Sequence, residues 1–201
     1  MSGDVRNVFI HDIKFDGTLL GFYIKSRRGR GGVVENIWVQ DITMCRIKLV
    51  PLFLDMFYAG FGVSRSEVPP TVRNINIKNV TCESTADAVK IIGLPEKNIE
   101  NITLENISIV SQRGLSCSDV NGVNFINVQI RPAKGSVMQL RDSCNVTINK
   151  SVCPESATAF VEIEGSKTKS IKLVGNDLSK VKKKIIIAPD VPLDQITMKS
   201  E

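Results

Sequence analysis

Residues 34–44 read VENIWVQDITM, and the same eleven-residue frame returns four more times along the chain. With h for an apolar side chain, the frame is h-x-N-h-x-h-x-N/D-h-x-h. It appears as VRNVFIHDIKF from Val5, VRNINIKNVTC from Val72, IENITLENISI from Ile99 and VNGVNFINVQI from Val120. All five apolar slots are filled in all five copies, whose starts lie 29, 38, 27 and 21 residues apart. Weaker echoes follow at SCNVTINK and KSIKLVGND. A repeat on this scale dictates architecture ahead of any local assignment.

Within each copy the apolar residues alternate with period two, which is strand periodicity. The alternation slips by one residue after Asp12, Asp41, Asn79, Asn106 and Asn127. Asn and Asp tolerate the left-handed region and bend a chain between strands. These five are read as inward corner residues whose amides bond from coil to coil, about 4.8 Å apart, as a ladder. Further short strands follow at residues 21–25, 49–55, 88–93, 136–142 and 159–165, giving a third sheet per coil. The sum is an all-β chain folded as a right-handed parallel β-helix, a three-sheet solenoid with Asn corners. A leucine-rich-repeat solenoid lacks its L-x-x-L-x-L signature here, and a β-sandwich lacks its hairpin turns.

The 201 residues suffice for one domain with a substantial core. Aromatics at 5% suit thin stacked strands better than a core built on large rings. No apolar run reaches the roughly 18 residues of a membrane span, and the opening MSGDVRNVFIHD is not a signal peptide. It reads as the interior of a domain and points to an N-terminal truncation, which would leave the end of the stack open to self-association. Five cysteines show no metal-type spacing, so neither metal nor cofactor is called for. N-x-S/T triplets at Asn79, Asn101, Asn106, Asn145 and Asn149 are assigned to ladders and turns rather than to glycosylation. His11, outward beside Asp12, reads as an ordinary surface histidine.

The net charge of +5 favours an acidic partner. Its concentrated form is GFYIKSRRGRGG, residues 21–32, where Lys25, Arg27, Arg28 and Arg30 surround a glycine turn. Phosphate, nucleic acid and a polyanionic sugar all fit such a stretch taken alone. Alternation puts Phe22 and Ile24 inside, Tyr23 and Lys25 outside. Following that strand onward adds outward Asp55, Lys90, Gln139 and Arg141. A cationic groove with a tyrosine suits a sugar acid, the cations holding the carboxylate and the ring covering the sugar. The lysines at 180–184 carry no interleaved aromatics, so nucleic acid is not expected, and neither is a membrane.

GFYIKSRRGRGGVVENI resembles the G-x-R-I-K-[ST]…GRGG-V-x-NI region of glycoside hydrolase family 28, the polygalacturonases and related pectin hydrolases. VPPTVRNINIKNVTC and VKIIGLPEKNIENITLENISI are similar to that family's later coils. The resemblance covers residues 3–130, with degenerate coils over 131–201, all in one domain spanning 1–201. It implies a right-handed parallel β-helix, a galacturonosyl substrate, hydrolysis with inversion and a location outside the cytoplasm, secreted or periplasmic. The family's aspartates, in N-x-D and D-D motifs, and its G-H-G histidine precede this stretch, so no catalytic residue is assigned here. By resemblance Lys25 binds the substrate carboxylate and Tyr58 lines the groove, with Phe57 an equally placed alternative. Tyr23 stands where polygalacturonases carry arginine; its loss removes a bidentate clamp and opens the range to rhamnogalacturonan-type substrates. Arg27, Arg28 and Arg30 are candidates for the cleft edge. The alternative to a hydrolase portion is a non-catalytic β-helix that binds acidic polysaccharide.

Overall fold

The computed structural model describes residues 3–58 and 67–199. Its strands are β1 (Val5–Asp16), β2 (Leu20–Lys25), β3 (Val33–Cys45), β4 (Val50–Asp55), β5 (Thr71–Ile92), β6 (Ile99–Ser118) and β7 (Val120–Pro132). The later coils contribute β8 (Met138–Arg141), β9 (Cys144–Asn149), β10 (Val161–Glu164), β11 (Lys169–Val174), β12 (Ile185–Ile187) and β13 (Ile196–Lys199).

Every pairing between these strands is parallel. One path runs β1-β3-β5-β6-β7-β9-β11-β13, and a second joins β2, β4, the end of β5, the end of β6, β8, β10 and β12. Each coil of the chain therefore lands on the same residue slots of the coil before it, and the molecule is a parallel β-helix. The column Val8, Ile37, Ile75, Ile102, Val123, Val146, Ile171 and Ile196 is one inward slot followed through eight coils. From Ile37 to Ile171 that column is buried. Complete burial of such a side chain contributes about 1.5–3 kcal/mol, so the aliphatic stack is the main stabilising element. Phe125 and Phe160 are the large rings inside it. At the β1 end the stack is less covered: Ile13 is exposed and Val8, Ile10 and Phe15 are only half-buried.

The corners form the expected ladder, with one correction. Asn79 Nδ2 donates to Asp41 Oδ1 at 2.8 Å, Asn106 to Asn79 at 3.1 Å and Asn127 to Asn106 at 2.9 Å. These residues do not point inward. Asp12, Asp41, Asn79 and Asn106 are exposed, all at φ between 54° and 57°. A left-handed residue swings its side chain to the outside of the bend, where the amide meets water and its neighbours instead of the aliphatic stack.

A second ladder of the same kind occupies the third slot of the frame. Asn36 donates to Asn7, Asn74 to Asn36 and Asn101 to Asn74, at 3.0, 3.1 and 3.2 Å. Four of the five N-x-S/T asparagines thus spend their amides on ladders or on a corner bond, Asn145 donating to Asn121 at 2.8 Å. The five cysteines are all free. Burial pushes the Cys82 and Cys153 thiols up to about 11.

His11 is exposed as expected, but it has a partner: its Nδ1 lies 2.6 Å from Asp12 Oδ2.

Candidate functional site

The third strip carries the site. Its outward column runs Tyr23, Phe53, Lys90, Ser116, Gln139 and Glu162, and the column beside it Lys25, Asp55, Ile92, Ser118, Arg141 and Glu164. The first strand of this strip, β2, can lie close against its neighbour because residue 21 is glycine. A Cβ there would meet the Pro51 carbonyl oxygen at 2.3 Å.

Tyr23 stacks on Phe53, ring centroids 4.8 Å apart and planes 13° from parallel. Its hydroxyl donates to Asp55 Oδ2 at 3.1 Å. Asp55 Oδ1 accepts the Phe57 backbone N–H at 2.8 Å, which shapes the turn leaving β4. Burial raises the Asp55 carboxyl above its ordinary range, against the pull of those two donors. Burial first, and then the Asp55 charge, raise the Tyr23 phenol far above its usual value, so it remains a neutral donor. Beyond β2 the Tyr58 N–H donates to the Ser26 carbonyl at 3.1 Å. That bond sets the Tyr58 ring under the Lys25 ammonium, Nζ 4.8 Å from the ring centroid. Lys25 is exposed, and no carboxylate pairs with it among the described residues.

Tyr23, Lys25 and Tyr58 are thus brought together with Asp55 and Phe53. The arginines of the following loop divide. Gly29, Gly31 and Gly32 take φ of 79°, 57° and 74°, and the Gly29 and Gly31 N–H groups both reach the Val68 carbonyl oxygen. This turn directs Arg28 inward, leaving it 6% exposed, with Nη2 3.0 Å from Glu96 Oε2 and its guanidinium 5.4 Å from the Phe57 ring centroid. Arg28 therefore ties the loop to a coil 68 residues on. Arg27 and Arg30 stay half-buried, the Arg30 N–H donating to the Arg27 carbonyl at 3.3 Å.

Further along, the strip is mixed in charge. Arg141 pairs with Glu164 at 2.8 Å, and Asp87 receives both Lys90 at 2.8 Å and Arg113. Burial works to raise Asp87, but the Arg113 and Lys90 bonds outweigh it and hold the carboxyl below its ordinary range. Sequence reasoning missed Phe53, Asp87 and Arg113. It missed the last because the end of β6, Leu115–Ser116–Cys117–Ser118, is too polar to show strand alternation in sequence. Among the described residues no group of three or more His, Cys, Asp or Glu side chains is placed to hold a metal ion.

Comparison with known proteins adds the lineage. Over 131 residues the chain is 26% identical to a probable polygalacturonase of Vitis vinifera, covering 62% of this chain and 26% of that protein. It is 29% identical over 117 residues to an endo-polygalacturonase of Pectobacterium parmentieri, covering 58% and 28%. A polygalacturonase of Ralstonia solanacearum is 32% identical over 114 residues, covering 51% and 21%. The chain spans between 21% and 28% of the length of these relatives. Residues 1–123 match the family described as glycosyl hydrolases family 28, a stretch that includes β2, the arginine–glycine turn, the first four repeats and only the start of the fifth. By that match, and by the parallel β-helix that carries it, the chain belongs to glycosyl hydrolases family 28.

Proposed function

We propose that this chain is the substrate-gripping part of a pectin-degrading glycoside hydrolase, polygalacturonase-like, that cleaves galacturonosyl bonds with inversion outside the cytoplasm. The observation that carries this reading is the Lys25 ammonium, poised on the Tyr58 ring beside the Tyr23–Phe53 stack. An ammonium beside aromatic rings meets both demands of a uronic acid: a carboxylate to neutralise and an apolar sugar body to contact. The three named relatives are polygalacturonases, which favours galacturonan over other acidic chains.

Inversion requires one carboxyl to protonate the leaving oxygen and another, about 6.5–9.5 Å away, to activate water. The 201 residues contain no N-x-D, D-D or G-H-G motif to supply them. This chain alone should therefore bind galacturonan without cleaving it. Calorimetry with trigalacturonate and a reducing-end assay on polygalacturonate and rhamnogalacturonan test both halves. Binding lost in Lys25→Ala, with no new reducing ends, is the expected result. Robust turnover refutes the division of labour; tighter binding of rhamnogalacturonan fragments moves the substrate there; no uronide binding at all removes the reading.

A further inference from the structure

Beyond the stacked rings of Tyr23 and Phe53 the outer face of the third strip becomes hollow. Ser116 is the small residue between Lys90 and Gln139 in the outward column. Around it lies a cavity of about 480 Å³ whose walls include Lys90, Arg113, Lys134, Ser136 and Gln139. Gly114 lines it as well. A Cβ there would meet the Ser136 and Val137 carbonyl oxygens at 2.1 and 2.4 Å, so no side chain is possible and the wall stays bare.

The charge around this hollow does not cancel. Asp87, 6% exposed, is shared between Lys90 and Arg113, one carboxylate for two cations. Lys134 is exposed, and no carboxylate pairs with it among the described residues. Glu162, one coil further, is engaged by Ser136 Oγ at 2.6 Å and Gln139 Nε2 at 2.8 Å. The Lys90–Arg113–Lys134 side of the hollow therefore keeps a positive excess, with hydroxyl and amide groups beside it. Coils are about 4.8 Å apart, so Ser116, three coils from Tyr23, stands about 14 Å further along the same face.

We propose that this hollow is a distal subsite that takes the carboxylate of a uronic-acid sugar, several units along the same chain from the one held at Lys25. It rests on the proposed function, and it adds what Lys25 cannot provide: recognition of chain length. A polyuronide laid along the axis would cross the edges of the stacked Tyr23 and Phe53 rings and then meet the cations of the hollow, matching the order in which the strip presents them.

The test is calorimetry of the 201-residue chain with trigalacturonate, hexagalacturonate and methyl-esterified hexagalacturonate. The hexamer should bind roughly tenfold tighter than the trimer, and esterification should abolish that gain, since two or three exposed cation–carboxylate contacts account for it. Lys134→Gln disturbs no ion pair and should weaken the hexamer about threefold while leaving the trimer unchanged. Ser116→Tyr, which fills the hollow from the outward face, should bring the hexamer to the trimer's affinity. A trimer that binds while the hexamer binds no tighter overturns the subsite and leaves the proposed function standing. Retention of the full hexamer gain by both variants overturns it in the same way. If neither oligomer binds, the proposed function falls and the subsite with it.

Discussion

Lys25 Nζ lies 4.8 Å from the centroid of the Tyr58 ring. The cation belongs to the first coil and the ring to the turn that leaves the second, so the site depends on the two coils stacking in register. The backbone bond from Tyr58 N–H to the Ser26 carbonyl fixes that relation. Replacing Tyr58 by leucine keeps an apolar body but removes the ring quadrupole. An exposed cation–π contact is worth about 0.5–1 kcal/mol, so trigalacturonate affinity should fall roughly two- to fivefold in Tyr58→Leu, as read by calorimetry.

Asp87 and Asp55 should shift stability with pH in opposite senses. Asp87 is held below its ordinary value of 3.8. Its contribution is complete above that value and is lost as pH falls through the lowered pKa. Asp55 is raised, so its folded form holds a proton longer than the unfolded chain does. Its ionisation therefore takes stability away as pH rises from the ordinary value through the raised one. Urea midpoints measured from pH 3 to pH 7 check both. Asp87→Asn should flatten the acid limb, whereas Asp55→Asn should gain on the parent protein as pH increases.

The corner at Asn79 combines two effects that substitution separates. Its φ of 54° disfavours residues with a Cβ other than Asn and Asp, and its amide bonds to Asp41 and Asn106. Asn79→Gly keeps the backbone and loses the ladder, at about 1 kcal/mol. Asn79→Ala adds the left-handed penalty and should cost about 1–2 kcal/mol more. Chemical denaturation that ranks alanine level with glycine would show that the corner is unstrained.

Two glycines that line the hollow predict different outcomes. Gly135 has φ of 82° and open space where a Cβ would stand, so alanine there costs only strain, about 1–2 kcal/mol. Gly114 abuts two carbonyl oxygens of the next coil, and Gly114→Ala must separate the strands. It should destabilise by more than about 3 kcal/mol or prevent folding, which thermal melts and expression level report.

Much of the fold was legible because a left-handed corner narrows residue choice to Asn, Asp or Gly. The Asp12–Asn127 column declared itself by breaking the alternation. The Asn7 column breaks it as well, but only one apolar slot of the frame precedes it, too few to mark a slip. The replacement by Gly122 in the fifth copy, at φ of 77°, was its clearest mark. Later corners at Lys150 and Ser170 use residue types with no such bias and are invisible in sequence. In the candidate site, the outward placement of Tyr23 and Lys25 followed from alternation alone. The inward course of Arg28 did not, because it depends on Glu96, a residue that only coil stacking brings near.

The corners also explain where this solenoid has freedom to change. Both asparagine bends take a single residue in coil after coil, whereas the links that flank the third strip vary, from residues 26–32 and 56–70 on one side to 150–160 and 175–184 on the other. Variation in link length is therefore confined to the two rims that flank the third strip. Lineages can redraw the walls of that trough while leaving the stacked interior untouched, so new specificities can arise without renegotiating the fold.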